Sequence, residues 1–149
     1  MKKIIFVSLF AITGFAHSAP NVWQSGYAQG FSEYSIQDTK GNTLWVTCNE
    51  GAGDDYDHSV RFQTPKKSYE NSDSKDPLTF LLDGKSKVAT SASTKWRNGA
   101  NAWYEFSQGI SKAKKIDVYL NNKKVTTMTP NPNSIKSVAK HIATCNAMF

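Results

Sequence analysis

Past its first residues this 149-residue chain reads as mainly β: an antiparallel β-sandwich or partly open barrel with one C-terminal α-helix and one disulfide. Three observations predict that class. Short apolar runs with period-two alternation recur along the chain, separated by Gly, Asn, Asp and Pro clusters. A late segment switches to helical spacing. Two cysteines, Cys48 and Cys145, stand far apart in a chain that opens with an export signal.

That signal is the first element. Lys2 and Lys3 form a positive n-region and Ile4 to Phe15 an apolar h-region. Ala16-His17-Ser18 then supplies the small residues a signal peptidase takes at its −3 and −1 positions. Residues 1–18 are read as a cleaved signal peptide and 19–149 as a single β-rich domain. The apolar run falls short of the ~18–20 residues that span a bilayer, and no later segment approaches that length. No cysteine marks the cleavage point, so the protein is expected as a free periplasmic species, with release from the cell as the other destination.

The strands come next in chain order. Phe31 to Gln37 is the first candidate, and Asp38–Asn42 turns it into Thr43 to Cys48, with Leu44, Val46 and Cys48 on one face. Asn49–His58 is an acidic loop, and Ser59 to Thr64 returns as a strand carrying Val60 and Phe62. Pro65 to Pro77 is polar throughout and reads as a long exposed loop. Leu78 to Leu82 is a short apolar strand ended by Asp83-Gly84, a tight-turn signal.

Asn98-Gly99 gives the strongest hairpin signal, pairing Trp96 with Asn101 and setting Trp96 and Trp103 diagonally on one face. Ile116 to Leu120 and Val125 to Met128 form a further hairpin. Ser134 or Asn133 then caps a helix with Ile135, Val138, Ala139, Ile142 and Cys145 on one face. Cys145 is thereby aimed at the core near Cys48. A bridge between them closes a loop of roughly a hundred residues, for which chain entropy gives about 4–5 kcal/mol. The spacing fits neither a CxxC redox pair nor a metal site.

Charge is unevenly spread. The full chain carries a formal +6, but residues 19–83 hold ten acidic and five basic residues, and 84–149 two acidic and eleven basic. Such asymmetry suits a polyanion, a membrane surface or an acidic partner, unless the halves interleave and pair their charges.

Two stretches concentrate chemistry. In the loop, Glu50, Asp54, Asp55, Asp57 and His58 form either a solvated acidic surface, a partner-docking surface, or a calcium site built on Asp54, Asp55 and Asp57. The loop spacing matches no EF-hand, and no resident metal or cofactor is expected. Lys95, Trp96, Arg97 and Trp103 form either an aromatic and basic contact for a partner, nucleic acid or glycan, or a pair of core tryptophans. An exposed tryptophan there favours binding, since aromatic and Arg side chains anchor interfaces. His141 sits where a cation favours the helix dipole. Hydrolase elbows, zinc-protease and nucleotide-binding fingerprints are absent from the sequence.

Trp45-Val46-Thr47-Cys48, the run Leu78 to Gly84, Ala102-Trp103-Tyr104-Glu105-Phe106, Ala113 to Val118 and a closing helix ending in Cys145 occur in a familiar order. In this the chain resembles small envelope β-sandwich proteins associated with type VI secretion, the VasI type. It departs from them in its basic second half and its polar insert at Pro65–Pro77. The resemblance implies an accessory role in the envelope and carries no catalytic residues. The expected function is non-enzymatic binding of another envelope or secreted macromolecule, most naturally a protein. The alternatives are an inhibitor or immunity protein whose acidic loop plugs a toxin or cell-wall hydrolase, and a small hydrolase with an unmarked site.

Overall fold

A computed structural model describes residues 19–73 and 75–146; residues 1–18, the segment expected to be a signal peptide, lie outside the described residues. The chain forms two antiparallel sheets and two helices. The first sheet is a meander of β1 (Gln24–Ala28), β2 (Phe31–Gln37), β3 (Thr43–Asn49), β4 (Ser59–Gln63) and β5 (Ser68–Glu70), in that spatial order. The second holds β6 (Leu78–Leu82), β7 (Ser86–Ala89), β8 (Ile116–Leu120) and β9 (Lys123–Met128), in the order β7-β6-β8-β9. Helix α1 (Arg97–Ile110) lies between β7 and β8 in the chain, and α2 (Pro132–Ala143) comes after β9.

Alternation does the sorting. β2 and β3 bury every second residue, placing Tyr34, Ile36, Leu44, Val46 and Cys48 inward, and β6 does the same with Leu78, Phe80 and Leu82. These residues join Ile116, Val118 and Met128 of the second sheet, Trp103, Phe106 and Ile110 of α1, and Val138 and Ile142 of α2 in one core. Each large side chain so enclosed contributes on the order of 1.5–3 kcal/mol. Cys48 and Cys145 are disulfide-bonded across a separation of 97 residues, with Cα atoms 5.7 Å apart. Mainly β architecture, C-terminal helix and staple are therefore as the sequence predicts.

Four local expectations are corrected. The segment around Asn98-Gly99 is helical, not a hairpin, and α1 runs through it. Its apolar residues Ala100, Trp103, Phe106 and Ile110 recur at helical spacing and are all buried. Gly99 is required for close approach rather than for a turn, because a Cβ there would sit 1.9 Å from the Ser93 carbonyl oxygen. The polar stretch 65–77 contains β5, whose three residues pair with β4. The cap of α2 is Asn131, whose side chain accepts from the Asn133 N–H, with Pro132 opening the helix. Cys145 lies just past the helix end rather than on its face. β1 and β7 were not anticipated, because their exposed residues offer little alternation to read.

Candidate functional site

The acidic loop is built from its base outward. Asn49, the last residue of β3, is buried, and its side-chain amide organises residues 50–56. Its Nδ2 donates to the carbonyls of Gly53 (2.8 Å) and Tyr56 (2.9 Å), and its Oδ1 accepts from the Ala52 N–H (2.9 Å). The N–H groups of Glu50 and Gly51 both donate to the Gly30 carbonyl, at 2.9 and 3.0 Å. A Cβ on Gly30 would lie 2.4 Å from the Ala52 nitrogen, so only glycine lets the loop seat on the β1–β2 turn.

A second segment, 91–97, locks the far side. Asp57 Oδ1 accepts from the Thr94 N–H (2.7 Å), the Thr94 hydroxyl (2.8 Å) and the Ser93 hydroxyl (3.2 Å). Burial opposes ionisation of Asp57, but these donors outweigh it and hold the carboxyl below the usual range. Lys95 Nζ donates to the Asp55 carbonyl at 2.7 Å. The two loops therefore behave as one unit.

His58 lies beneath them, enclosed in the core edge. Its Nδ1 accepts from the Asn49 N–H at 2.9 Å, which puts the ring proton on Nε2, where it donates to the Asn146 carbonyl at 2.9 Å. The ring stacks on Trp103 with centroids 5.1 Å apart and packs against the Cys145 sulfur. Burial pushes its pKa down, only partly offset by the Asn146 carbonyl and by Asp57 and Glu50. Trp103 in turn donates Nε1–H to the Cys145 carbonyl at 2.8 Å.

The sequence-predicted residues thus divide into two sets. Asp57, His58 and Trp103 hold the structure together from inside; Trp103 is fully buried and offers no contact surface. Glu50, Asp54, Asp55, Lys95, Trp96 and Arg97 remain exposed. Trp96 is 74% exposed and Tyr56 59%. Tyr56, which sequence reasoning missed, meets Phe31 edge-on at 5.7 Å. A groove of about 290 Å³ runs from this pair across the outer sheet face to Arg61 and Glu70. The lone aromatic among carboxylates at 54–57 was the available signal for Tyr56. Among the described residues, no group of three or more His, Cys, Asp or Glu converges to hold a metal ion, and Asp57 spends its Oδ1 on Ser93 and Thr94.

Residues 21–139 match the YfjT family. The chain belongs to the YfjT family. It is 32% identical over 148 residues to the uncharacterized protein YfjT of Escherichia coli K12, covering 97% of this chain and 95% of that protein. It is 33% identical over 153 residues to the uncharacterized protein YkfB of the same strain, covering 96% of this chain and 97% of that one. No solved structure matches. The likeness to type VI secretion proteins finds no counterpart in these YfjT-family matches. Among the described residues, no helix is long and apolar enough to cross a membrane.

Proposed function

We propose that this YfjT-family protein acts in the periplasm as a non-enzymatic binding protein, holding a protein partner on the surface shared by loop 49–58 and segment 91–97. The supporting observation is the exposure of Trp96 and Tyr56 on loops that the disulfide, Asn49 and Asp57 hold in place. Leaving two large aromatics in water on a rigid frame loses burial energy unless a partner covers them. Aromatic anchors on a preorganised surface keep that energy for binding, because little ordering entropy is lost on contact. Glu50, Asp54 and Asp55 on one side and Lys95 and Arg97 on the other would fix orientation more than strength.

The same surface suits an inhibitor or immunity role, in which the carboxylates enter the basic cleft of a toxin or wall hydrolase. Service to a secretion system rests on the sequence resemblance alone. Asp57 and His58 are the one acid–base pair in the loop, and both are committed to internal hydrogen bonds, which counts against the hydrolase reading.

Affinity capture from envelope extract tests the proposal. Replacing both Trp96→Ala and Tyr56→Ala is expected to weaken capture of a discrete partner by at least about tenfold, the effect of losing aromatic anchors. The fold is checked by an unchanged disulfide and melting temperature. Equal capture by the double variant contradicts it. Loss on Asp54→Asn with Asp55→Asn alone points to the inhibitor reading instead.

A further inference from the structure

Four strands lie at the sheet margins, and three of them are defended. β5 is three residues long and comes after Lys66 and Lys67; β9 opens with Lys123 and Lys124; β7 packs beside α1. Short strands, lysines and covering helices are the usual means of preventing edge-to-edge pairing. β1 is longer than β5 and holds no lysine, and α2 touches it without covering it. Its sequence Gln-Ser-Gly-Tyr-Ala is uncharged, free of proline and exposed at every position.

The register shows which backbone groups of β1 are free. β1 and β2 are joined by the two residues Gln29 and Gly30, both with positive φ, so Ala28 and Phe31 form the bonded pair closing the hairpin. Alternation then turns Gly26 and Gln24 toward β2, and the N–H and C=O of Ser25 and Tyr27 away from the sheet. Among the described residues nothing hydrogen-bonds to Ser25 or Tyr27 across that edge.

We propose that β1 is a homodimer edge, at which two copies of this chain pair antiparallel about a two-fold axis through Gly26. Ser25 of each copy then exchanges both backbone bonds with Tyr27 of the other, four bonds in all. Gly26 meets its counterpart at the non-bonded position, where Cα atoms approach to about 4.5 Å. A Cβ on Gly26 would have nothing within 4 Å in the monomer, so the fold itself does not demand glycine there. Tyr27, 69% exposed in the monomer, lies opposite the other copy's serine and diagonal to its tyrosine, within aromatic reach. A second copy suits this edge better than a charged partner. The strand is self-complementary in hydrogen bonding, and a neutral edge lets two molecules of net positive charge meet without local repulsion. Edge pairing alone buries little area, so the dimer forms at the weak end of the range.

Sedimentation velocity on the purified, disulfide-bonded protein from about 10 μM to about 1 mM covers that range. The weight-average mass is expected to climb toward twice the monomer's, and Tyr27→Lys to keep it at the monomer value throughout. Gly26→Cys in the folded protein is expected to oxidise to a covalent dimer at least about tenfold faster than an exposed Lys87→Cys control, the ratio reporting local encounter. A monomer at every concentration overturns the proposal, including one that accepts an extended peptide on β1. Equal oxidation rates of the two cysteine variants overturn it as well.

Discussion

Burial of His58 makes stability depend on pH where few other groups titrate. Its pKa in the folded protein lies below the ordinary 6.5, because burial disfavours the imidazolium and both ring nitrogens are already bonded as the neutral form. The unfolded chain therefore binds more protons than the native state between the folded value and 6.5, and stability rises with pH across that interval. The contribution is complete above 6.5 and is lost as pH falls through it. Asp38, Asp57 and Asp117 are shifted downward as well, held below the carboxylate value of 3.8 by donors that outweigh burial, so their contribution is likewise lost on acidification, but at lower pH. Melting curves between pH 7.5 and 5 are expected to fall with acidification in the wild type. His58→Gln should be less stable at pH 7.5 yet nearly flat over the same range. The disulfide between the two cysteines was legible in the sequence from their even count and from their spacing, which fits neither a redox pair nor a metal site. The division of Trp96 from Trp103 was not, since which tryptophan is enclosed depends on the helical phase of α1.

At the scale of elements, strands were readable wherever one face is buried and the other wet. β2 and β6 match their expected bounds for that reason, whereas β8, buried at its first three residues, matches without that contrast. β1 and β7, largely exposed, carry no such contrast. Helix α1 was misread because Asn-Gly is the usual mark of a two-residue hairpin turn, whereas here glycine serves a close helix–loop contact. The distinction has a measurable consequence. In an ordinary exposed helix, Gly→Ala stabilises by about 1 kcal/mol. At Gly99 the new Cβ would fall 1.9 Å from the Ser93 carbonyl oxygen, whose segment also holds Asp57. Gly99→Ala is accordingly expected to destabilise by about 1–3 kcal/mol in denaturant titration, as overpacking does. A gain in stability would mean the loop yields freely and the clamp is not rigid.

Across the molecule, the charge asymmetry of the sequence becomes a division between layers. The five strands of the first sheet and the acidic loop come from the acidic part of the chain, and β7 to α2 from the basic part. The ion pairs among the described residues stay within one part: Lys67 with Asp76, and Lys115 and Lys124 with Asp117. The halves are therefore not neutralised against each other by direct contact, which gives the surface around Glu50, Asp54 and Asp55 a negative field bordered by Lys95 and Arg97. The composition disclosed that polarity and the cysteine count the staple. Neither could place Tyr56 beside Phe31 or dock segment 91–97 on the loop, because both contacts join residues distant in sequence. Whether this clamped surface meets a partner is answered most directly by photo-crosslinking in living cells, with a benzophenone side chain at position 96 or 56 and controls at Lys85 and Lys136. A discrete adduct from 96 and 56 that the controls lack is the expected result. No adduct from either position, or the same adducts from the controls, would contradict a binding role for this surface.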